Sequence, residues 1–187
     1  MKRSRIFGKM VVLGLIGAFA ALALTTPVPA QESQGLRDAH QMMADGWKMF
    51  NDGQRMVIQG KEMNDLVAVQ LGLQDQMTRG NKLIQDGRKT TAQAATLFAQ
   101  GEKTYLDDQA NPSRGKPGLK MMSDGYKLAN DGANLINQGM TMNDQVAQAK
   151  GAADKFAQGN KVIQDGKATM AQGAESFIKG ENIYLKK

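Results

Sequence analysis

Glycine recurs every seven residues through most of this chain, and that spacing restricts what the chain can fold into. A period of seven is typical of helices that pack side by side. Glycine is a poor helix former, however, because each one destabilises a helix by roughly 1 kcal/mol relative to alanine. We therefore expect a compensating interaction, in which the missing side chains let neighbouring helix backbones approach closely. The glycines in this register are Gly46, Gly53, Gly60, Gly80, Gly87, Gly101, Gly118, Gly125, Gly132, Gly139, Gly159, Gly166, Gly173 and Gly180.

The chain also repeats itself at an offset of 79 residues, without a gap. The segment GNKLIQDG at 80–87, for example, matches GNKVIQDG at 159–166. Such self-similarity indicates a tandem duplication. The two units span 31–108 and 118–187, and the proline- and glycine-containing segment 109–117 between them is typical of a linker.

Each unit is predicted to be a helical hairpin, because its glycine register slips by one residue near the middle. A turn explains the slip, and it falls within 64–73 in the first unit and 143–152 in the second. The asparagine–aspartate pairs at 64–65 and 143–144 are one candidate for the turn, and Gly72 and Gly151 are the other. One continuous helix with a local skip is the alternative.

The predicted fold is therefore all-α: two tandem antiparallel helical hairpins with glycine-heptad seams, packed as an elongated four-helix bundle. We expect each glycine seam to join the two arms of one hairpin, because the adjacent arm is the nearest partner. With glycine at heptad position a, large apolar residues fill positions d and e, which predicts an apolar ridge beside each glycine groove.

The first thirty residues have the parts of a secretory signal peptide. Four basic residues without an acid precede an apolar stretch of about fifteen residues, which ends in small residues up to Ala30. We predict cleavage after Ala30, a periplasmic or secreted product and no stable membrane insertion afterwards. The exported part keeps 20 basic and 18 acidic residues, a net charge of +2, so the basic balance of the whole chain gives no support for nucleic-acid binding.

Catalysis is not expected from this composition. The chain has one histidine and no cysteine, and no carboxylate pair stands apart from the repeating background. No nucleophile–base arrangement is recognisable, so we predict a protein that is not an enzyme and has no cofactor.

Methionine suggests a sharper alternative, because thioether sulfur suits Cu(I) and Ag(I). The candidate metal ligands are His40, Met42, Met43, Met121 and Met122. Met42 and Met43 recur as Met121 and Met122, but the duplication argues against a metal site, because His40 corresponds to Leu119 and several other methionines correspond to leucine or phenylalanine. The exchange of methionine for leucine or phenylalanine between the repeats is better explained if these methionines pack in the core, where methionine is an adaptable residue.

The glycine heptads at 46–60 and 125–139 resemble the coiled-coil hairpins in the extracytoplasmic part of the phage-infection-protein family. That resemblance implies a mode of helix packing and no particular activity, because the membrane-spanning segments that flank those hairpins have no counterpart here beyond the signal. The sequence therefore predicts an exported, non-catalytic structural, scaffold or protein-interaction module, with a protein partner or self-association. A periplasmic copper or silver binder and a chaperone-like or lipid-binding module are the alternatives.

Overall fold

The computed structural model describes residues 34–107 and 112–186, and within them it has four α-helices and one short 3-10 helix. The helices are α1 (Gln34–Gln70), α2 (Gln74–Asp107), α3 (Pro112–Ala149) and α4 (Ala157–Leu185), with the 3-10 helix Ala153–Phe156 before α4. The predicted all-α fold of paired hairpins in a bundle is confirmed. The predicted signal peptide, 1–30, lies outside the described residues.

Each hairpin turns at a glycine. Gly72 and Gly151 have φ of 67° and 64°, a left-handed conformation that glycine adopts without steric cost. In both turns the next residue closes the helix end: the Leu73 amide donates to the Ala68 carbonyl at 2.8 Å, and the Ala152 amide donates to the Ala147 carbonyl at 2.9 Å. This is the hydrogen-bond pattern of a Schellman helix ending. The other predicted turn, at 64–65 and 143–144, is wrong, because those residues lie inside α1 and α3.

The glycine seams join the two repeats, and the prediction that they join the arms of one hairpin is wrong. Helix α1 packs against α4, and α2 packs against α3. Within a hairpin the two arms are separated by bulky side chains, such as Trp47 and Phe98, whose rings stack between α1 and α2. The glycine face of each arm is consequently turned toward the other repeat.

Both seams are antiparallel ladders. A contact seven residues further along one helix is made by the residue seven positions earlier on its partner. A Cβ added at any of the fourteen seam glycines would meet partner-helix atoms closer than 3 Å, most of them backbone. The close backbone approach is therefore continuous along both seams. The rungs are Ala39–Gly180, Gly46–Gly173, Gly53–Gly166 and Gly60–Gly159 between α1 and α4, and Gly80–Gly139, Gly87–Gly132, Ala94–Gly125 and Gly101–Gly118 between α2 and α3.

Positions d and e have different surroundings. The e residues form most of the core, and those with less than 9% exposure include Phe50, Val57, Ile84, Phe98, Tyr105, Ile136, Ile163 and Phe177. The d residues are only partly buried, among them Met49, Met56, Met63, Leu83, Leu97, Leu128, Leu135, Met142, Val162 and Ile183. The apolar ridge predicted over both positions is thus split into a core column and a strip along the outer edge of each seam.

The predicted linker, 109–117, is shorter in the structure. Helix α3 already begins at Pro112, and Pro117 lies inside it. Proline is accepted at the first position of a helix because the amide it lacks has no intrahelical partner there. The remaining residues of the linker, 109–111, lie outside the described residues.

The close contact at the seam predicts the effect of adding one methyl group. A Cβ at Gly46 would lie 2.6 Å from the Gly173 carbonyl oxygen and 2.9 Å from the Phe177 Cα. We expect Gly46→Ala to lower the free energy of unfolding by about 2 kcal/mol through overpacking. Helix propensity alone would raise it by about 1 kcal/mol. Gly125, its counterpart in the second repeat, has more room, with contacts at 2.8 and 3.1 Å. Gly125→Ala should therefore lower the free energy of unfolding by less than Gly46→Ala does. Urea denaturation measures both changes. If both raised the free energy of unfolding, the result would contradict close packing.

Because every seam crosses between repeats, one repeat alone leaves its glycine faces uncovered. We expect a separately produced second repeat, 112–187, to fold as a homodimer in which α3 of one copy packs against α4 of the other. Every rung would then pair two glycines. Sedimentation equilibrium and circular dichroism over a concentration series should show helix content rising with the dimer fraction. A stable folded monomer at micromolar concentration would contradict this arrangement.

Candidate functional site

The bundle has an approximate twofold symmetry that exchanges the repeats, and departures from it identify candidate sites. Most core contacts obey the symmetry. Trp47 stacks on Phe98 with ring centroids 4.3 Å apart, and their counterparts Tyr126 and Phe177 stack at 4.1 Å. The two pairs also meet across the core, where the ring centroids of Phe98 and Phe177 are 6.2 Å apart, and Phe50 contacts Tyr126 in a T-shaped arrangement at 5.5 Å. These aromatic side chains are therefore packing groups that hold the two arms of each hairpin at a fixed separation.

An asparagine layer crosses the bundle near the turns and obeys the same symmetry. The Asn64 amide donates to the Asn160 side-chain oxygen at 2.7 Å, and the Asn143 amide donates to the Asn81 side-chain oxygen at 2.8 Å. The side-chain oxygens of Asn64 and Asn143 are buried and lie directly over the backbones of Gly159 and Gly80. A side chain on either glycine would occupy the space of that oxygen. The layer thus fixes the register of both ladders.

The symmetry fails beside this layer. Lys61 forms an ion pair with Asp65, whereas the corresponding residues of the second repeat are Met140 and Asp144. Asp144 instead accepts a hydrogen bond from Asn160 at 3.4 Å. Burial raises the pKa of the Asp144 carboxyl above its ordinary value, and the Asn160 hydrogen bond and the positive charge of Lys167 offset part of that increase. A cavity of about 20 Å³, enough for one water molecule, lies among these side chains.

The candidate metal ligands are in different environments. Met43 and Met122 are completely buried in the core cluster with Phe177, while Met42 and Met121 are partly exposed beside the seams. His40 stacks on Tyr105 with ring centroids 4.2 Å apart. Core packing accounts for Met43 and Met122, and the copper or silver site stays a prediction. Within 34–107 and 112–186 no three histidine, aspartate or glutamate side chains are grouped so that they could hold a metal ion.

The two hairpin tips lie at the same end of the bundle and have different surfaces. Leu66, Val69 and Leu71 at the first tip are 66%, 55% and 42% exposed. Their counterparts at the second tip are the exposed polar residues Gln145, Gln148 and Lys150. We refer to Leu66, Val69 and Leu71 as the apolar tip. The heptad pattern does not indicate the apolar tip, whereas the difference between the two repeats at these three positions does.

No known family model, curated protein or solved structure matches the sequence. In the part of the chain that the structure describes, no helix is long and apolar enough to span a bilayer. The candidate site therefore depends on the structure alone, and specifically on the places where one repeat differs from the other.

The raised pKa of Asp144 predicts a pH-dependent effect of Asp144→Asn. In the unfolded chain this carboxyl titrates near 3.8, while in the folded chain it titrates at higher pH. Above the folded pKa the buried charge lowers stability, and below the unfolded pKa that penalty disappears. We expect Asp144→Asn to raise the free energy of unfolding at pH 7, with the gain falling to nothing by about pH 3. Denaturant unfolding at both pH values measures it. The matched change Asp65→Asn, which removes the ion pair with Lys61, should give no gain at pH 7.

Proposed function

We propose that this protein is an exported, non-catalytic helical bundle that binds a protein partner through the apolar tip. The observation that carries the proposal is the exposure of three aliphatic side chains at a site where the duplicated repeat has polar ones. Because both tips adopt the same turn, the fold itself does not require aliphatic residues there. A requirement outside the fold, such as a contact surface, explains why only one tip has them.

The apolar tip is suited to a contact because its backbone is rigid and its side chains are close together. Leu66 and Val69 are three residues apart on α1, so they lie on one side of the helix. Leu71 follows at the turn, where Leu73 is buried and the Schellman hydrogen bonds hold the chain. Covering a fully exposed side chain of this kind contributes about 1.5–3 kcal/mol. Three of them, between 42% and 66% exposed, are enough for a modest but specific contact within a larger interface.

The bundle acts in this proposal as a stiff spacer. Helix α1 has 37 residues, which corresponds to about 55 Å at 1.5 Å per residue. The continuous seams prevent the helices from sliding, so the tip is held at a fixed distance from the start of α1 and the end of α4, which lie at the opposite end of the bundle. The signal peptide predicted from the sequence supports a role outside the cytoplasm.

The two alternatives are less well supported. A methionine-based copper or silver binder needs accessible sulfur atoms, and Met43 and Met122 are buried. A lipid-binding or chaperone-like module would use a broad apolar face, and the apolar tip is a small patch beside charged residues.

Site-specific photo-crosslinking tests the proposal. A photoreactive residue at Val69 should form discrete protein adducts in the producing cells, and one at Gln148, the matched position on the other tip, should not. Changing Leu66 and Leu71 to the second-repeat residues Gln and Lys should abolish the adducts without changing the circular dichroism spectrum. Equal adduct patterns from Val69 and Gln148, or lipid adducts alone, would contradict a protein partner at this tip.

A further inference from the structure

The first hairpin has a groove between α1 and α2, and the second hairpin has a smaller groove of about 190 Å³ along α3 and α4 with Lys167 as a basic lining residue. The groove of the first hairpin has a volume of about 650 Å³ and is open to solvent along one side. Its lining includes four basic residues, Lys61, Lys82, Arg88 and Lys89, and it runs along α2 from Thr78 to Ala92. That span corresponds to about 21 Å of helix. We refer to it as the α1–α2 groove.

The first repeat has more basic residues at these positions than the second repeat. Lys61 corresponds to Met140 and Lys89 to Ala168, while Lys82 and Arg88 correspond to Lys161 and Lys167. The second hairpin therefore has half as many positive charges at these positions and forms the same fold. The two extra charges are therefore not needed for folding, which points to a role in binding.

The charges of the groove are only partly neutralised. Lys61 is paired with Asp65, and Lys89 lies 4.0 Å from Asp86 in an exposed pair, which contributes little at the surface. Within 34–107 and 112–186, no carboxylate lies within ion-pair distance of Lys82 or Arg88. Both side chains are exposed and available to an anionic ligand.

The shape and the other lining groups favour a peptide as the ligand. A compact phosphate group would require basic side chains that converge on one point. Here the basic side chains are spread along the groove. The groove is also lined by the exposed side-chain amide of Gln85, which can hydrogen-bond a peptide backbone, and by the methyl group of Ala92. A length of about 21 Å accommodates an extended peptide of about six residues. Nucleic acid would need a longer basic surface, because its charges are dense and continuous.

We propose that the α1–α2 groove binds an extended acidic segment of a protein partner, with Lys82 and Arg88 pairing with its carboxylates. This inference rests on the proposed function, since it supplies a second contact for the partner that meets the apolar tip. Both surfaces belong to the first hairpin, so one partner can reach them together. Charge complementarity of this kind contributes to specificity and to the rate of association.

Fluorescence anisotropy with a labelled peptide of alternating glutamate and alanine tests the inference on the whole exported chain. We expect saturable binding that weakens as salt is added, because screening shortens the range of exposed charges. The double change Lys82→Gln with Arg88→Gln should weaken binding about tenfold or more. The matched double change in the second hairpin, Lys161→Gln with Lys167→Gln, should leave binding unchanged.

A second variant excludes loss of folding as the cause. Lys61→Met with Lys89→Ala copies the residues of the second repeat, which folds with them, and it should also weaken peptide binding. Tripolyphosphate and phosphatidylglycerol vesicles serve as competing probes. Equal effects of the two matched double changes would overturn the proposed groove, as would binding of tripolyphosphate or vesicles without binding of the peptide. Crosslinking from Val69 does not pass through the groove, so its result separates failure of this inference from failure of the proposed function.

Discussion

Contact between helix backbones at the glycine seams is the interaction on which the rest of this structure depends. A glycine at every rung, with alanine at two of them, brings α1 against α4 and α2 against α3 so closely that a methyl group would meet partner atoms within 3 Å at the seam glycines. Dispersion contacts and the removal of the glycine backbone from water compensate for the poor helix propensity of glycine. The large side chains are excluded from the seams and fill the wider spaces between the arms of each hairpin.

That division between close and wide interfaces explains where function can arise. The close interfaces leave no room for a ligand, and their sequence is restricted at every seventh residue. The wide interfaces are filled by side chains, and some of their positions differ between the repeats, so a polar residue there can line a groove without disturbing a seam. The α1–α2 groove is the clearest instance, because Lys61 occupies the position that methionine occupies in the second hairpin.

Because of the duplication, each repeat can be compared with the other, position by position. Residues that the fold requires recur after 79 positions, as do most of the seam glycines, the stacked aromatic pairs and the asparagine layer. Residues that differ, such as those of the apolar tip and Lys61, were free to change while the fold was kept. Both proposals involve residues of that second group, and both concern the first hairpin, which makes this half of the molecule the candidate for recognition.

The sequence by itself determined the helices, the two repeats and the column of glycines, because heptad spacing and glycine at fixed intervals are local properties of the chain. It also restricted each turn to two candidate positions. The structure has the turns at Gly72 and Gly151. Only the tertiary structure decided which helices share a seam. All four carry the same glycine column, so the spacing permits any pairing, and the choice depends on the volume of side chains such as Trp47 and Phe98 between the arms. The groove and the apolar tip depend on that pairing, since a residue's exposure follows from which helix covers it.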